Sequence, residues 1–167
     1  MKIYFASDHA GFELKNELLA FVRDELHLEV QDCGALVYDP NDDYPALIAS
    51  AARSLSRDVA DGKDSRAIII GASGQGEAIV ANRYAHVRAV VYYGATGVQT
   101  DISGNELDMI SSTRAHNDAN ALSLGARFIS LSDATTVVQK WLSTPFSGEE
   151  RHTRRIAQID ALITDNE

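Results

Sequence analysis

The chain is poor in cysteine, in proline and in positive charge. Cys33 is the only cysteine among 167 residues, and there are three prolines. A single thiol excludes an internal disulfide and a cysteine-based metal cluster; it suits a reducing compartment, so a cytoplasmic location is expected. Lysine and arginine number 15 against 24 aspartates and glutamates, a net charge of −9. That balance argues against a nucleic-acid partner held on a basic surface, while allowing one local cationic cluster around a small anion. No membrane span is expected: the apolar stretch over residues 3–6 runs straight into polar ones and is too short even for a signal-peptide core, so Met1 is read as the start of the folded domain. The five histidines keep no H-E-x-x-H or comparable spacing, and the acidic run around Asp39 to Asp43 lacks the EF-hand pattern, so no metal site is expected. Gly/Ser-rich linkers, repeats and low-complexity tracts are missing too. Length and a 45% hydrophobic content fit one domain over residues 1–167.

What is present is an alternation of strand and helix patterns. Residues 3–6 read as a strand, and Ser7-Asp8-His9-Ala10-Gly11 turns it into a helix over 12–26 whose apolar members Phe12, Leu14, Leu18, Leu19, Val22 and Leu26 recur at helical spacing. A strand and exit turn follow over 28–34. Two prolines with acidic and amide neighbours make 38–45 a loop, and Pro45 opens a helix through Leu55. Residues 67–70 form an apolar strand, as do 87–92. Residues 94–113, broken by Gly97 and Gly104, read as a mixed loop with one short helix; 114–120 are polar, and 121–129 suggest a last strand interrupted at Gly125. A helix begins near Ser132-Asp133 and is ended by Pro145 and Gly148, and a final helix over 149–163 carries Arg151, His152, Arg154 and Arg155. Such alternation implies a parallel sheet covered on both faces, with ligand groups at the carboxyl ends of its strands.

The organising stretch runs from Ala67 through Gly71-Ala72-Ser73-Gly74-Gln75-Gly76-Glu77 to Asn82. It is strand, tight glycine loop and helix without a break. The glycines permit positive φ and close backbone approach, and the helix start favours an anion. The spacing is neither G-x-G-x-x-G nor a P-loop. Taken alone it is a tight strand-to-helix turn, with Glu77 either complementing the helix dipole or aimed at a ligand. Asp8 likewise reads as a helix N-cap or as a group at a strand's carboxyl end.

Separated motifs, taken together, point further. Ser7-Asp8-His9-Ala10-Gly11, Asp43-Tyr44-Pro45, the Ser73–Glu77 loop with Ala81-Asn82-Arg83, His116-Asn117-Asp118-Ala119-Asn120 with Leu124-Gly125-Ala126-Arg127, and the terminal Arg151-His152-Thr153-Arg154-Arg155 run closely resemble the ribose-5-phosphate isomerase type B family, which includes galactose- and allose-6-phosphate isomerases. The resemblance spans almost the whole chain. It implies an α/β fold, a Rossmann-like three-layer sandwich with a mostly parallel five-stranded sheet. It also implies a homodimer whose two active sites each draw on both subunits, with a tetramer left open, and cofactor-free interconversion of a phosphorylated aldose and ketose. Members use either a cysteine just ahead of the glycine loop or a glutamate just after it as the proton-transferring base. Gly71 stands at the cysteine position, so this chain resembles the glutamate kind, with Glu77 as base.

By the same resemblance, Asp8 handles sugar hydroxyl protons, Ser73 relays a proton, His116 opens the furanose ring and Asn117 holds the enediolate. His9, Tyr44, Gly74, Gly76, Arg127, Arg151 and Arg155 contact the substrate, mainly its phosphate. The chemistry suits these residue types. Moving a proton between C1 and C2 needs one carboxylate against one face of the sugar, backbone N–H groups stabilise the enediolate, and guanidinium forks grip phosphate. Burial raises the basicity of Glu77 and the helix end opposes it, so its pKa direction stays open at this level. Ribose 5-phosphate and ribulose 5-phosphate are the expected reacting pair, with a hexose 6-phosphate (allose or galactose) or a tetrose phosphate as alternatives; a non-catalytic sugar-phosphate binder is the further alternative, against which the complete set of acid and base groups argues.

Overall fold

A computed structural model describes residues 1–94, 97, 99–100, 104 and 106–164, the last two without their side chains. Five strands form one parallel sheet: β1 (Lys2–Ser7), β2 (Glu29–Asp32), β3 (Ser65–Gly71), β4 (Ala89–Tyr92) and β7 (Ala121–Gly125), in the order β2-β1-β3-β7-β4. A two-residue antiparallel ladder, β5 (Gln99–Thr100) with β6 (Glu106–Leu107), stands apart from it. The helices are α1 (Phe12–Asp24), α2 (Tyr44–Ala60), α3 (Gln75–Ala81), α4 (Met109–Asn117), α5 (Leu131–Ser143) and α6 (Glu150–Thr164).

Strand alternation assigns the two faces. Ile3, Phe5, Ile68, Ile70, Leu122 and Leu124 point to one side, where Leu18 and Val22 of α1 and Val137, Val138 and Trp141 of α5 cover them. Tyr4, Ala6, Ala67, Ile69 and Ala121 point to the other, against Ile48, Ala51, Ala52 and Leu55 of α2 and Ala81 of α3. Helices cover both faces, so β3 is buried along its whole length, as its continuous apolar run requires. The expected three-layer α/β sandwich is what the chain forms. No helix among the described residues is long and apolar enough to cross a membrane.

Some boundaries differ from the sequence reading. The last strand ends at Gly125 rather than near 129, because Ala126 and Arg127 turn their N–H groups to the carbonyls of Gly71 and Ala72 (2.8 and 3.2 Å) and leave the sheet. The polar run over 114–120 is half helix: α4 starts after Asp108, whose side chain accepts from Ser111 N at 2.8 Å, and it ends where Asp118 adopts a left-handed φ of 44°. Few apolar residues mark that helix, which hides it from periodicity. Of the loop read over 94–113, residues 95, 96, 98, 101–103 and 105 lie outside the described residues.

Strand order places the site. From β1 the chain crosses by α1 outward to β2, whereas from β3 it crosses by α3 toward β4, so connections diverge in opposite directions from two adjacent strands. A crevice opens at the carboxyl ends of β1 and β3, the position where open α/β sheets take ligands.

Candidate active site

Asp8 and His9 follow β1, and the loop 71–77 follows β3, so both reach this crevice. Asp8 is buried and accepts from the N–H groups of Ala10 and Gly11 at 3.0 and 3.2 Å, capping a single 3-10 turn, His9–Gly11, ahead of α1. The capping role and the place at a strand's end are therefore both real. Close approach of this turn to β3 demands Gly11, since a Cβ there would lie 2.6 Å from Ile70 O.

The glycine loop is held from below. Gly74 adopts φ 75°, and its carbonyl accepts from buried Ser123 Oγ at 2.6 Å. Ser73 Oγ accepts from Gln75 N at 3.3 Å. Tyr44, at the start of α2, lays its ring on Gly76, where a Cβ would meet the ring and its hydroxyl at 2.6 Å. Arg127 stands beside the loop through its N–H bond to Ala72 O, with its side chain exposed. Thus Asp8 and His9 after β1, Ser73, Gly74, Gly76 and Glu77 after β3, and Arg127 after β7 stand at the carboxyl end of the sheet, with Tyr44 packed on Gly76.

Glu77 is the unusual member. It lies in the first turn of α3 and is only 4% exposed, with its carboxyl against Gly71. Burial pushes its pKa above the ordinary carboxylate value; its own backbone N–H opposes the shift and the nearby Asp8 charge adds to it. Of the two opposed effects weighed from the sequence, desolvation wins. A carboxylate made more basic this way suits a reversible proton carrier at neutral pH.

His9 is tied elsewhere. Asp42 Oδ1 accepts from both His9 N (2.9 Å) and His9 Nδ1 (2.7 Å), and this hydrogen bond raises the imidazole pKa. Asp42 was read from the sequence only as part of a solvated acidic loop, and no spacing signal links it to His9.

The remaining expected residues lie elsewhere in the same chain. His116 and Asn117 end α4, just ahead of the first residue of β7, while the glycine loop sits level with its last. The five residues of β7 span roughly 13 Å, so the two groups occupy opposite ends of the sheet. There the His116 ring stacks on His152 of α6, centroids 4.6 Å apart and planes 8° from parallel. His152 is buried, and desolvation with the neighbouring His116 and Arg151 lowers its pKa. Arg151 and Arg155, also on α6, are exposed. Arg88, which the sequence did not single out, clamps the end of α4: Nε donates to the carbonyls of Asn117 (3.2 Å) and Asp118 (3.1 Å), and Nη2 donates to Asp118 Oδ2 (2.9 Å).

Known proteins share this sequence pattern and this fold. The family model described as Ribose/Galactose Isomerase matches residues 3–159. Ribose-5-phosphate isomerase B of Mycolicibacterium paratuberculosis is 38% identical over 93% of this chain and 87% of its own. The enzyme of the same name from Escherichia coli is 34% identical over 96% and 95%. Among solved structures, ribose-5-phosphate isomerase B of Mycoplasma genitalium with bound ribulose-5-phosphate superposes with a TM-score of 0.84 at 27% identity, covering 98% of this chain and 97% of that one. The Clostridium thermocellum protein superposes at 0.83 with 32% identity over the full length of both.

Proposed function

The chain belongs to the ribose/galactose isomerase family, and from that premise we propose that it interconverts ribose 5-phosphate and ribulose 5-phosphate through an enediolate, with Glu77 carrying the proton between C2 and C1. The observation that carries this reading is the buried Glu77 carboxyl of raised pKa at the edge of the glycine loop, in the crevice between β1 and β3. Asp8, beside it, exchanges protons with the sugar hydroxyls, and Ser73 serves as a relay. The backbone of the 73–76 loop, pinned by Ser123 and Tyr44, is preorganised against the enediolate oxygens. No step requires a cofactor: proton loss from one carbon and gain by the next balance without any change in electron count.

The phosphate lies toward His9 and Arg127. Opening of the furanose ring falls to His116, support of the enediolate to Asn117 and further grip on the phosphate to Arg151 and Arg155. These four stand at the far end of the sheet from Glu77, so the sites are completed by a second copy of the chain in a homodimer, each copy giving its α4 and α6 residues to its partner's crevice. Exposure of Ile79 next to the glycine loop and of Ile159 and Leu162 on α6 supports an apolar contact between copies.

The test is conversion of ribose 5-phosphate and of allose 6-phosphate by one preparation, beside the Glu77→Gln variant. Turnover of the pentose by the wild type and its loss in the variant, with sugar-phosphate affinity kept, is the expected result. Absence of turnover on both sugars overturns the assignment, and unchanged turnover in the variant overturns Glu77 as the base.

A further inference from the structure

The loop ahead of α2 reaches back over the 3-10 turn after β1, and one carboxylate oxygen of Asp42 takes two hydrogen bonds from a single residue, His9. A carboxylate only accepts, so Nδ1 of His9 carries a proton. That leaves Nε2 as the ring nitrogen available to a ligand. Its character depends on charge: in the imidazolium Nε2 is a donor, whereas in the neutral ring with Nδ1–H it presents a lone pair, which repels a phosphate oxygen.

We propose that Asp42 is a positioning residue for substrate binding, holding His9 as an imidazolium whose Nε2–H is directed to the phosphate. Two carboxylates bear on the ring, Asp42 by contact and Asp8 through space, and both favour the charged form against partial burial. The backbone bond from His9 N fixes the residue while the side-chain bond fixes the ring, so orientation and charge come from the same oxygen. The second oxygen, Oδ2, is buried and accepts no hydrogen bond among the described residues, so the Asp42 charge has the His9 ring as its hydrogen-bonded counterpart. Asp42 itself is set by a turn, its N–H donating to Asp39 O at 3.1 Å. The inference rests on the reading that His9 meets the substrate's phosphate.

Asp42→Asn tests it, because the amide oxygen keeps both hydrogen bonds and only the charge is lost. In the free wild-type protein the His9 ring, followed by NMR, titrates above the usual 6.5 for histidine; in the variant its titration moves down. Between pH 6 and 8 the KM for ribose 5-phosphate then rises with pH in Asp42→Asn relative to wild type, approaching about tenfold per pH unit above the new pKa, with kcat changing far less. Inorganic phosphate at pH 7.5 shifts the His9 Nε2 resonance in the wild type and much less in the variant. Identical His9 titration in the two proteins overturns the proposal, as does a KM raised by the same factor at every pH or a phosphate response that the variant retains. A wild type without isomerase activity defeats the functional reading instead; the titration and phosphate responses still decide the part played by Asp42.

Discussion

The carboxyl of Glu77 occupies the volume that a side chain on Gly71 would need: a Cβ built on Gly71 falls inside the van der Waals surface of Glu77 Oε1 and lies 2.7 Å from Oε2. In the family that this chain resembled from its motifs, the position of Gly71 holds a cysteine in one kind of member and the base follows the loop in the other. Here the two positions compete for one space, so a side chain at position 71 and a buried carboxyl at position 77 exclude each other.

Gly71→Ala is therefore expected to lower kcat by two orders of magnitude or more, by expelling the Glu77 carboxyl from its seat. Gly62→Ala, at a positive φ of 74° but with nothing within 4 Å of its Cβ, serves as the comparison, since it strains a remote turn only. Steady-state kinetics of both variants, with circular dichroism to confirm folding, decide the matter. Full activity in Gly71→Ala contradicts the seating of Glu77.

Glu77 also has a cost in stability. Its folded pKa is raised, so the fold favours the protonated form, and this contribution is fully present below the unfolded pKa near 4.5 and lost as pH rises through the folded value. At pH 7 the buried charge is therefore destabilising. Glu77→Gln is predicted to raise Tm at pH 7 by more than at pH 4, and the wild-type kcat is predicted to fall on the acid side as Glu77 is protonated at a pH above the ordinary carboxylate range. An equal Tm change at both values would show that burial of the charge is not the cause.

Far from the crevice, Asp58 accepts from Tyr4 Oη (2.7 Å), Ser65 Oγ (2.7 Å) and Lys63 Nζ (3.0 Å). The Tyr4 hydrogen bond, with those from Ser65 and Lys63, holds its pKa down to about 2 against desolvation, while burial and the Asp58 carboxylate push the Tyr4 phenol well above its usual 10. A depressed carboxylate contributes stability that is present above its unfolded value of about 3.9 and lost as pH falls toward 2. Asp58→Ala leaves two hydroxyls without their acceptor and is expected to cost roughly 1–3 kcal/mol at pH 7 in urea unfolding. The difference from wild type should shrink between pH 4 and pH 2; a constant difference would assign the loss to packing instead.

Sharing of sites between copies predicts complementation. Glu77→Gln and His116→Ala, each inactive alone, are expected to regain activity when unfolded together and refolded as a mixture, because a hybrid dimer holds one site with both residues intact. Failure of every mixing ratio to restore turnover, in a preparation shown to contain hybrids, would contradict the sharing of His116 and Glu77 between copies.

The clamp of Arg88 on α4 gives a further expectation. Ribulose 5-phosphate has its C5 oxygen phosphorylated and forms no five-membered ring, so exchange of its C1 hydrogen with solvent needs the base but no ring opening. Arg88→Met, which releases the carbonyls of Asn117 and Asp118, should slow both the consumption of ribose 5-phosphate and deuterium exchange into ribulose 5-phosphate followed by NMR, because Asn117 supports the enediolate common to the two, with the larger loss in the first, which alone needs ring opening. Unchanged rates in both assays would show that the clamp has no part in the reaction.

Much of this was legible in the chain before any coordinates. The β-branched run Ile68-Ile69-Ile70, the glycines after it and the amphipathic spacing of α1 and α2 are local signals: period and steric permission are properties of neighbouring residues, and they determined a parallel α/β sheet with Asp8, His9 and Ser73 to Glu77 at strand ends. One short helix was expected within 94–113, but the bounds of α4 were not legible, because its cap, Asp108, and its ending at Asp118 are set by hydrogen bonds rather than by an apolar stripe. Only the tertiary structure decided that Glu77 is desolvated and more basic, since burial depends on what packs over Gly71 and on the approach of Asp8, neither of which spacing encodes. Only it brought Asp42 onto His9, across 33 residues, and set His116 and Arg155 at the opposite end of the sheet from Glu77. The sequence specified which chemical groups exist; strand order and the direction of each crossover determined which of them meet.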